Sequence, residues 1–312
     1  MPKMKNKKML AAVLGLAMCF SGVGVAPVMA AENNTTVAVQ VEVKQVNKMS
    51  GVNWTKGAEA DVTAMGIGLP PVNAGVRGTA LARRAARVDA QRNLLEIING
   101  VQIDSETTVE DLTVTSDFVR SSVSGLIKGA RIIDEGVNDD GSYFVIMSVP
   151  LYGSTQSLAA SVLPEATKNV IPEALPTVDE NTTTLTKEEV KMVKSVAYTG
   201  VIVDASGLGL EPTFSPVIFD TNGRAIYGVK NIDKDKAISQ GMVEYSEDLQ
   251  MAAGGTTRAG ANPLVVRANA VRGGRNSVNP VNVVVSVEDG DKILLANAQS
   301  SMLENCAVVF VK

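Results

Sequence analysis

The stretch RGTALARRAARVDAQRNLLEIINGVQI, residues 77–103, constrains the fold more than any other part of the chain. Its apolar spacing predicts a helix of about twenty positions, with Thr79 as N-cap and Gly100 as the C′ residue. Leu81, Ala85, Val88 and Leu95 share one side, while Ala86, Ala90, Leu94 and Ile97 form a second strip roughly opposite. A helix apolar on two sides is expected to be packed on two sides. Small Ala85, Ala86 and Ala90 would let it lie close to a sheet.

Five arginines, Arg77, Arg83, Arg84, Arg87 and Arg92, occupy the first sixteen positions of this stretch. A phosphate-binding helix would carry them on one free face. Here they spread over a wide arc, Arg92 falls within the first apolar strip, and Asp89 and Glu96 interrupt them, with Arg92 and Glu96 at i,i+4 pairing distance. The expected role is architectural, the long stems covering apolar surface while the guanidinium groups reach water.

Around this helix the chain reads as two domains. In the first, 31–163, DVTAMGIG (61–68) is strand-like and DFVRSSVSGLI (117–127) a helix begun by Ser116. ARIIDEGV and SYFVIMSVPL flank the Asp-Gly turn at 138–141 as a hairpin, and 154–163 closes the domain as a helix. Residues 164–186, with three prolines and a Thr/Asn-rich run, read as a linker. In the second domain, 187–312, five stretches rich in β-branched residues predict strands, and Asn222-Gly223 a hairpin turn. Helices are expected at 241–252 and 288–303, before a last strand at 306–311. The fold class is therefore α+β: a first domain with a small sheet covered by helices on one face, and a second that is mostly β.

Lys3, Lys5, Lys7 and Lys8, then an apolar run from Met9 to Phe20 and the small-residue ending before Ala31, form the pattern of a signal peptide over 1–30. The apolar core is too short to span a bilayer. Leu16-Ala17-Met18-Cys19 approximates a lipidation motif, with Met18 where a small residue is wanted. Cleavage after Ala30 removes four lysines and no acid, leaving 25 basic against 33 acidic side chains, a net charge of −8. Such a chain is a poor general binder of nucleic acid. Cys306 is then the lone cysteine, so no intramolecular disulfide can form, and its Ala-Val-Val neighbours make it a buried small hydrophobe.

No histidine occurs, which excludes Ser-His-Asp and Cys-His catalysis and His-ligated zinc. VDASGLGLEP offers a Gly-x-Gly after a strand, but Pro212 arrives where a dinucleotide loop needs a helix. DTNGR (220–224) and EDGDK (288–292) look like pieces of calcium loops without the full ligand set, so turns are expected at both. Arg258, Arg267, Arg272 and Arg275 gather in 257–280 with no aromatic among them, making a solvated loop or a surface for an anionic glycan or lipid head group. No catalytic, cofactor-binding or metal-ligating residue is assigned, and no small-molecule substrate is expected.

VTAMGIG, the Ala-Arg-x-Ala-Ala-x-x-Asp-Ala-x-Arg-x-Leu run from Ala82 to Leu94, GLIKGARII and YFVIMSVPL together resemble the domain of the Lpp-twenty outer-membrane lipoprotein family. They are also similar to the N-terminal domain of flagellar T-ring and H-ring assembly proteins. The likeness covers about residues 60–152, and 200–228 resembles a second domain found beside it in some envelope proteins. It implies an exported protein of the periplasm or outer envelope with a non-catalytic structural or assembly role. Its partners would be envelope proteins or copies of itself; nothing in the residues ties the chain to a flagellum. The rival expectation is a binding module making peripheral contact with cell-wall polymer or lipid head groups. Intact-mass measurement of the exported protein is expected to show Ala31 as the first residue; a product retaining residues 1–30, or one beginning at a lipidated Cys19, would contradict this.

Overall fold

The computed structural model describes residues 50–312. The expectations for the signal sequence and for Cys19 lie outside the described residues. Strands β1 (Gly51–Asn53), β2 (Asp61–Gly68), β3 (Arg131–Val137) and β4 (Tyr143–Pro150) form an antiparallel sheet in the order β1-β2-β4-β3. β3 and β4 are the expected hairpin: Gly141 takes φ +83° in the turn and its N–H donates to the Asn138 carbonyl at 2.9 Å.

Helix α1 (Val76–Asn99) lies on this sheet so closely that two strand positions admit no side chain. A Cβ on Gly66 would sit 2.1 Å from the Ala90 nitrogen, and one on Gly68 would sit 2.0 Å from the Ala82 carbonyl oxygen. Ala82, Ala86, Ala90, Leu94 and Ile98, four residues apart along one face, are buried against Val62, Ala64, Val145, Met147 and Val149. The helix is therefore packed on one side, not two. Leu81, Val88 and Leu95 of the other strip are 49, 65 and 41% exposed. The alanine face alone matches the glycines of β2, and seating it turns the bulkier strip outward. The helix also starts before the expected cap Thr79, with Gly75 preceding it at φ +51°, and Gly100 ends it without entering the left-handed region. α2 (Val109–Thr115), not anticipated, and α3 (Asp117–Lys128), begun as expected by Ser116, add Val109, Val119, Val123 and Ile127 to the same core.

α4 (Leu158–Ala166) runs on through Pro164, so the irregular stretch after it begins later than its prolines suggest. Residues 168–186 lie along the body, with Leu185 buried and Glu173 paired to Lys230 at 2.9 Å. Beyond them come α5 (Lys187–Ser195), β5 (Gly200–Asp204), β6 (Ile218–Asp220), β7 (Ala225–Tyr227), α6 (Lys234–Gln240), β8 (Glu244–Ser246) and α7 (Leu249–Ala253). β9 (Pro263–Arg267), β10 (Ala270–Arg272), β11 (Asn282–Val285), α8 (Val287–Ser300) and β12 (Val308–Val311) complete the chain. β8, β12, β5 and β9 make an all-parallel sheet in that order; β10, β11, β6 and β7 make a mixed one.

The fold is α+β, but the second half is not mostly β. Four helices accompany its strands, and the helix expected over 241–252 is instead strand β8 followed by the short α7. Continuous apolar runs explain the parallel sheet, whose central strands β5 and β12 are buried on both faces: Val201, Val203, Val308 and Phe310 face the main core, while Ile202, Val309 and Val311 face a smaller one with Ala252 and Ala259.

The described residues fall within one compact unit in which the two halves share a core. Trp54 stands edge-on to Tyr152, Phe214 and Tyr245, with ring centroids 6.5, 5.2 and 5.8 Å away. The Phe214 and Ser215 amides donate to the Gln102 and Ile103 carbonyls at 3.3 and 2.8 Å. Gly66→Ala and Gly68→Ala are each expected to destabilise the chain by at least about 3 kcal/mol, the severe end of overpacking because the clash is with backbone. Val88→Ala, on the outer strip, should change stability by no more than about 0.5 kcal/mol; urea unfolding midpoints check both.

Candidate functional site

α1 holds its arginines in two different settings. Arg83 donates from Nε to Glu135 of β3 at 2.8 Å, and that hydrogen bond with the guanidinium charge holds the Glu135 carboxyl below the usual range. Arg92 reaches Asp89 at 2.7 Å and Glu96 only at 3.9 Å, so the i,i+4 pair expected from spacing is the weaker of the two. Arg77, Arg84 and Arg87 are exposed. Asp89 also accepts from the Ile67 amide at 3.0 Å, and Asn93 donates to the Met65 carbonyl at 2.8 Å. Beyond the end of short β1, the helix thus satisfies the edge of β2 with its own side chains.

The outer strip of α1 forms one wall of a groove of about 630 Å³, with α2 and α3 as the other wall. Val88 and Leu95 stand on one side and Val114, 71% exposed, on the other, with Val123 and Ile127 between them. Arg92, Arg120 and Lys128 line it, and a shallower depression beside Ile67 continues it past Arg84. Arg120 is held in place by the Thr113 and Val114 carbonyls and by Asp117. Across both depressions the charged lining residues are Arg84, Arg92, Arg120 and Lys128 against Asp89 alone. A larger cavity lies elsewhere, where Asp61, Arg131, Ser148, Gln156 and Ser161 meet; Ser148 donates to Asp61 at 2.7 Å there.

The two fragments that look like pieces of calcium loops meet in space. Asp220 accepts from the amides of Asn222 and Arg224, both at 2.9 Å, closing the expected turn with Gly223 at φ +83°. Asp291 sits in the first half of α8, so 288–292 is helix and not a turn. Arg224 joins them, 2.9 Å from Asp220 and 2.6 Å from Asp291, and both carboxylates are almost wholly buried. Thr184 closes the cluster, its N–H donating to Asp291 at 2.8 Å. Burial acts to raise the Asp291 carboxyl; the Thr184 amide and Arg224 outweigh it and leave it lowered. Among the described residues no group of three or more His, Cys, Asp or Glu side chains is placed to hold a metal ion.

The arginines of 257–280 do not make one surface. Arg258 is folded in, donating to the Gly241 and Gln240 carbonyls at 2.9 and 2.7 Å and lying 3.5 Å from Glu244. Arg272 stacks over Phe219 at 4.5 Å, an aromatic partner that the local sequence does not contain. Gly207 and Gly209 take φ +77° and +73°, so the Gly-x-Gly serves a turn, and no helix follows before β6. Cys306 is buried, as its neighbours imply.

Residues 200–312 match the family model for the second domain of Treponema pallidum Tp0624. The match begins at the first residue of β5 and takes in both sheets of the second half, with Arg224, its two acids and Cys306. No curated protein matches the chain.

Arg224→Met is expected to cost about 3 kcal/mol, because it leaves two buried carboxylates without their cation. Asp291 is lowered in the folded state, so its contribution is fully present above the ordinary value of 3.8 and is lost as the pH falls through the folded value. Unfolding midpoints should therefore fall below about pH 4 in the parent chain. In Asp291→Asn the loss appears already at neutral pH and the acid fall is shallower.

Proposed function

We propose that this chain is a non-catalytic component of the cell envelope that works through protein contact, as a structural or assembly element. The observation that carries the reading is the outer strip of α1. Leu81, Val88 and Leu95 stand exposed together along one side of a helix whose opposite side is fully buried, and a contiguous apolar surface left in water marks a contact site. Two features of the sequence support it: a signal-like N-terminus, and the likeness of 60–152 to the Lpp-twenty domain family. The absence of histidine is consistent with a role outside acid-base chemistry.

The rival reading, a module for wall polymer or anionic head groups, would use the loop around Arg272. It is the weaker one, since Arg258 is committed to backbone carbonyls and Glu244. Chemical cross-linking of intact cells followed by fractionation is expected to recover the chain in a protein complex of fixed stoichiometry that survives high salt. Recovery with isolated walls, released by salt, would support the rival, because exposed ionic contacts are screened.

A further inference from the structure

Resting on that reading, we infer that the groove between α1 and α2–α3 receives an amphipathic helix with an acidic rim from a partner protein. Leu81, Val88 and Leu95 recur every seven residues, the spacing at which one helix presents a continuous seam to another. Val88 and Leu95 stand in the groove and Leu81 extends the strip beyond it, about 21 Å from Leu81 to Leu95, room for four helical turns. Val114 faces it from the far wall, and Val123 and Ile127 give the groove an apolar floor.

The form of the site selects a helix over other occupants. An added strand would need free backbone groups, but Met65 and Ile67 at the adjoining β2 edge already bond to Asn93 and Asp89. A bilayer surface would meet the rims of a concave groove and leave the floor uncovered.

The charge selects the partner. The charged residues lining the groove and the adjoining depression are Arg84, Arg92, Arg120 and Lys128 against Asp89; Arg92 is paired with Asp89 and Arg120 with Asp117, so the excess positive charge rests on Arg84 and Lys128. This positive strip sits on a chain whose formal charge is −4. Apposing the same face of a second copy would set these cations against one another, whereas Asp and Glu flanking an apolar seam would pair with them.

The test uses the full chain and two synthetic helical peptides of about eighteen residues, with identical leucine seams but Glu flanks in one and Lys flanks in the other, followed by fluorescence anisotropy. The Glu peptide should bind at least about tenfold more tightly than the Lys peptide, the gap narrowing as salt is raised. Val88→Asp and Leu95→Asp should each weaken it about tenfold or more with an unchanged melting temperature. The double substitution Arg92→Glu with Lys128→Glu should transfer the preference to the Lys peptide. Equal affinity for the two peptides, no binding by either, or binding indifferent to Val88→Asp would overturn the proposal. So would anionic vesicles displacing the peptide, or self-association abolished by Val88→Asp. If the peptides fail while the chain stays in a cellular complex, the docking proposal falls and the assembly reading survives; if no complex is found, both fall.

Discussion

The contact of α1 with β2 is made backbone to backbone, and most of the molecule's surface logic follows from it. Gly66 and Gly68 leave no side chain between strand and helix, so the alanines of α1 settle directly on the strand and every other contact of the helix is fixed in rotation and height. Dispersion between closely packed atoms favours this seat, and a single methyl in the gap would abolish it. Asp89 and Asn93 can bond to the β2 backbone only because the helix lies so near. The outward turn of Leu81, Val88 and Leu95 is the other side of the same constraint: once one strip is seated, the position of the second is decided.

Aromatic residues are scarce, twelve in the whole chain, and five of them meet where the two halves join. Trp54 and Tyr152 come from the first half; Phe214, Tyr245 and Phe310 come from the second. Elsewhere the core is built mainly from valine, isoleucine, leucine and alanine, with Tyr227 and the methionines Met147, Met242 and Met302. Tyr245 adds direction, since its hydroxyl donates to the Thr213 carbonyl and accepts from the Thr213 amide. Burial pushes the hydroxyls of Tyr152 and Tyr245 well above their ordinary value, so both stay neutral over the working pH range. The Asp220–Arg224–Asp291 cluster fastens α8 and residues 183–184 to the β6–β7 turn in the same manner, through buried polar groups whose partners are all supplied by the fold.

Charge is distributed unevenly over the molecule. Arg83, Arg224 and Arg258 tie elements together, each with a carboxylate, while Arg92 and Arg120 pair with acids of their own helices and Arg84 and Lys128 face the open side of an apolar surface. Arginine serves both settings because its stem covers apolar surface while its planar head forms directed hydrogen bonds. The same residue type is therefore architecture at Arg83 and available surface at Arg84, and only the neighbours distinguish the two.

Local periodicity was enough to place much of the secondary structure. β2 spans 61–68 as expected, the β3–β4 hairpin turns at its Asp-Gly pair, and α3 is begun by Ser116, because each depends on residues within a few positions of one another. α5 begins where the expected linker ends, and its capping pair Thr186 and Glu189 was equally legible, although only 241–252 and 288–303 were expected as helices in this half. Two apolar strips on α1 were also visible in the sequence. Which of them would be buried was not, since periodicity assigns residues to faces and says nothing of what each face meets. The parallel order of β8, β12, β5 and β9, the union of Asp220 and Asp291 through Arg224, and Phe219 beneath Arg272 all join residues distant along the chain. Composition and spacing determined the elements and the type of their faces; tertiary packing alone decided which face became core and which remained in water, because burial is settled by the partner's shape as much as by the residue's own hydrophobicity.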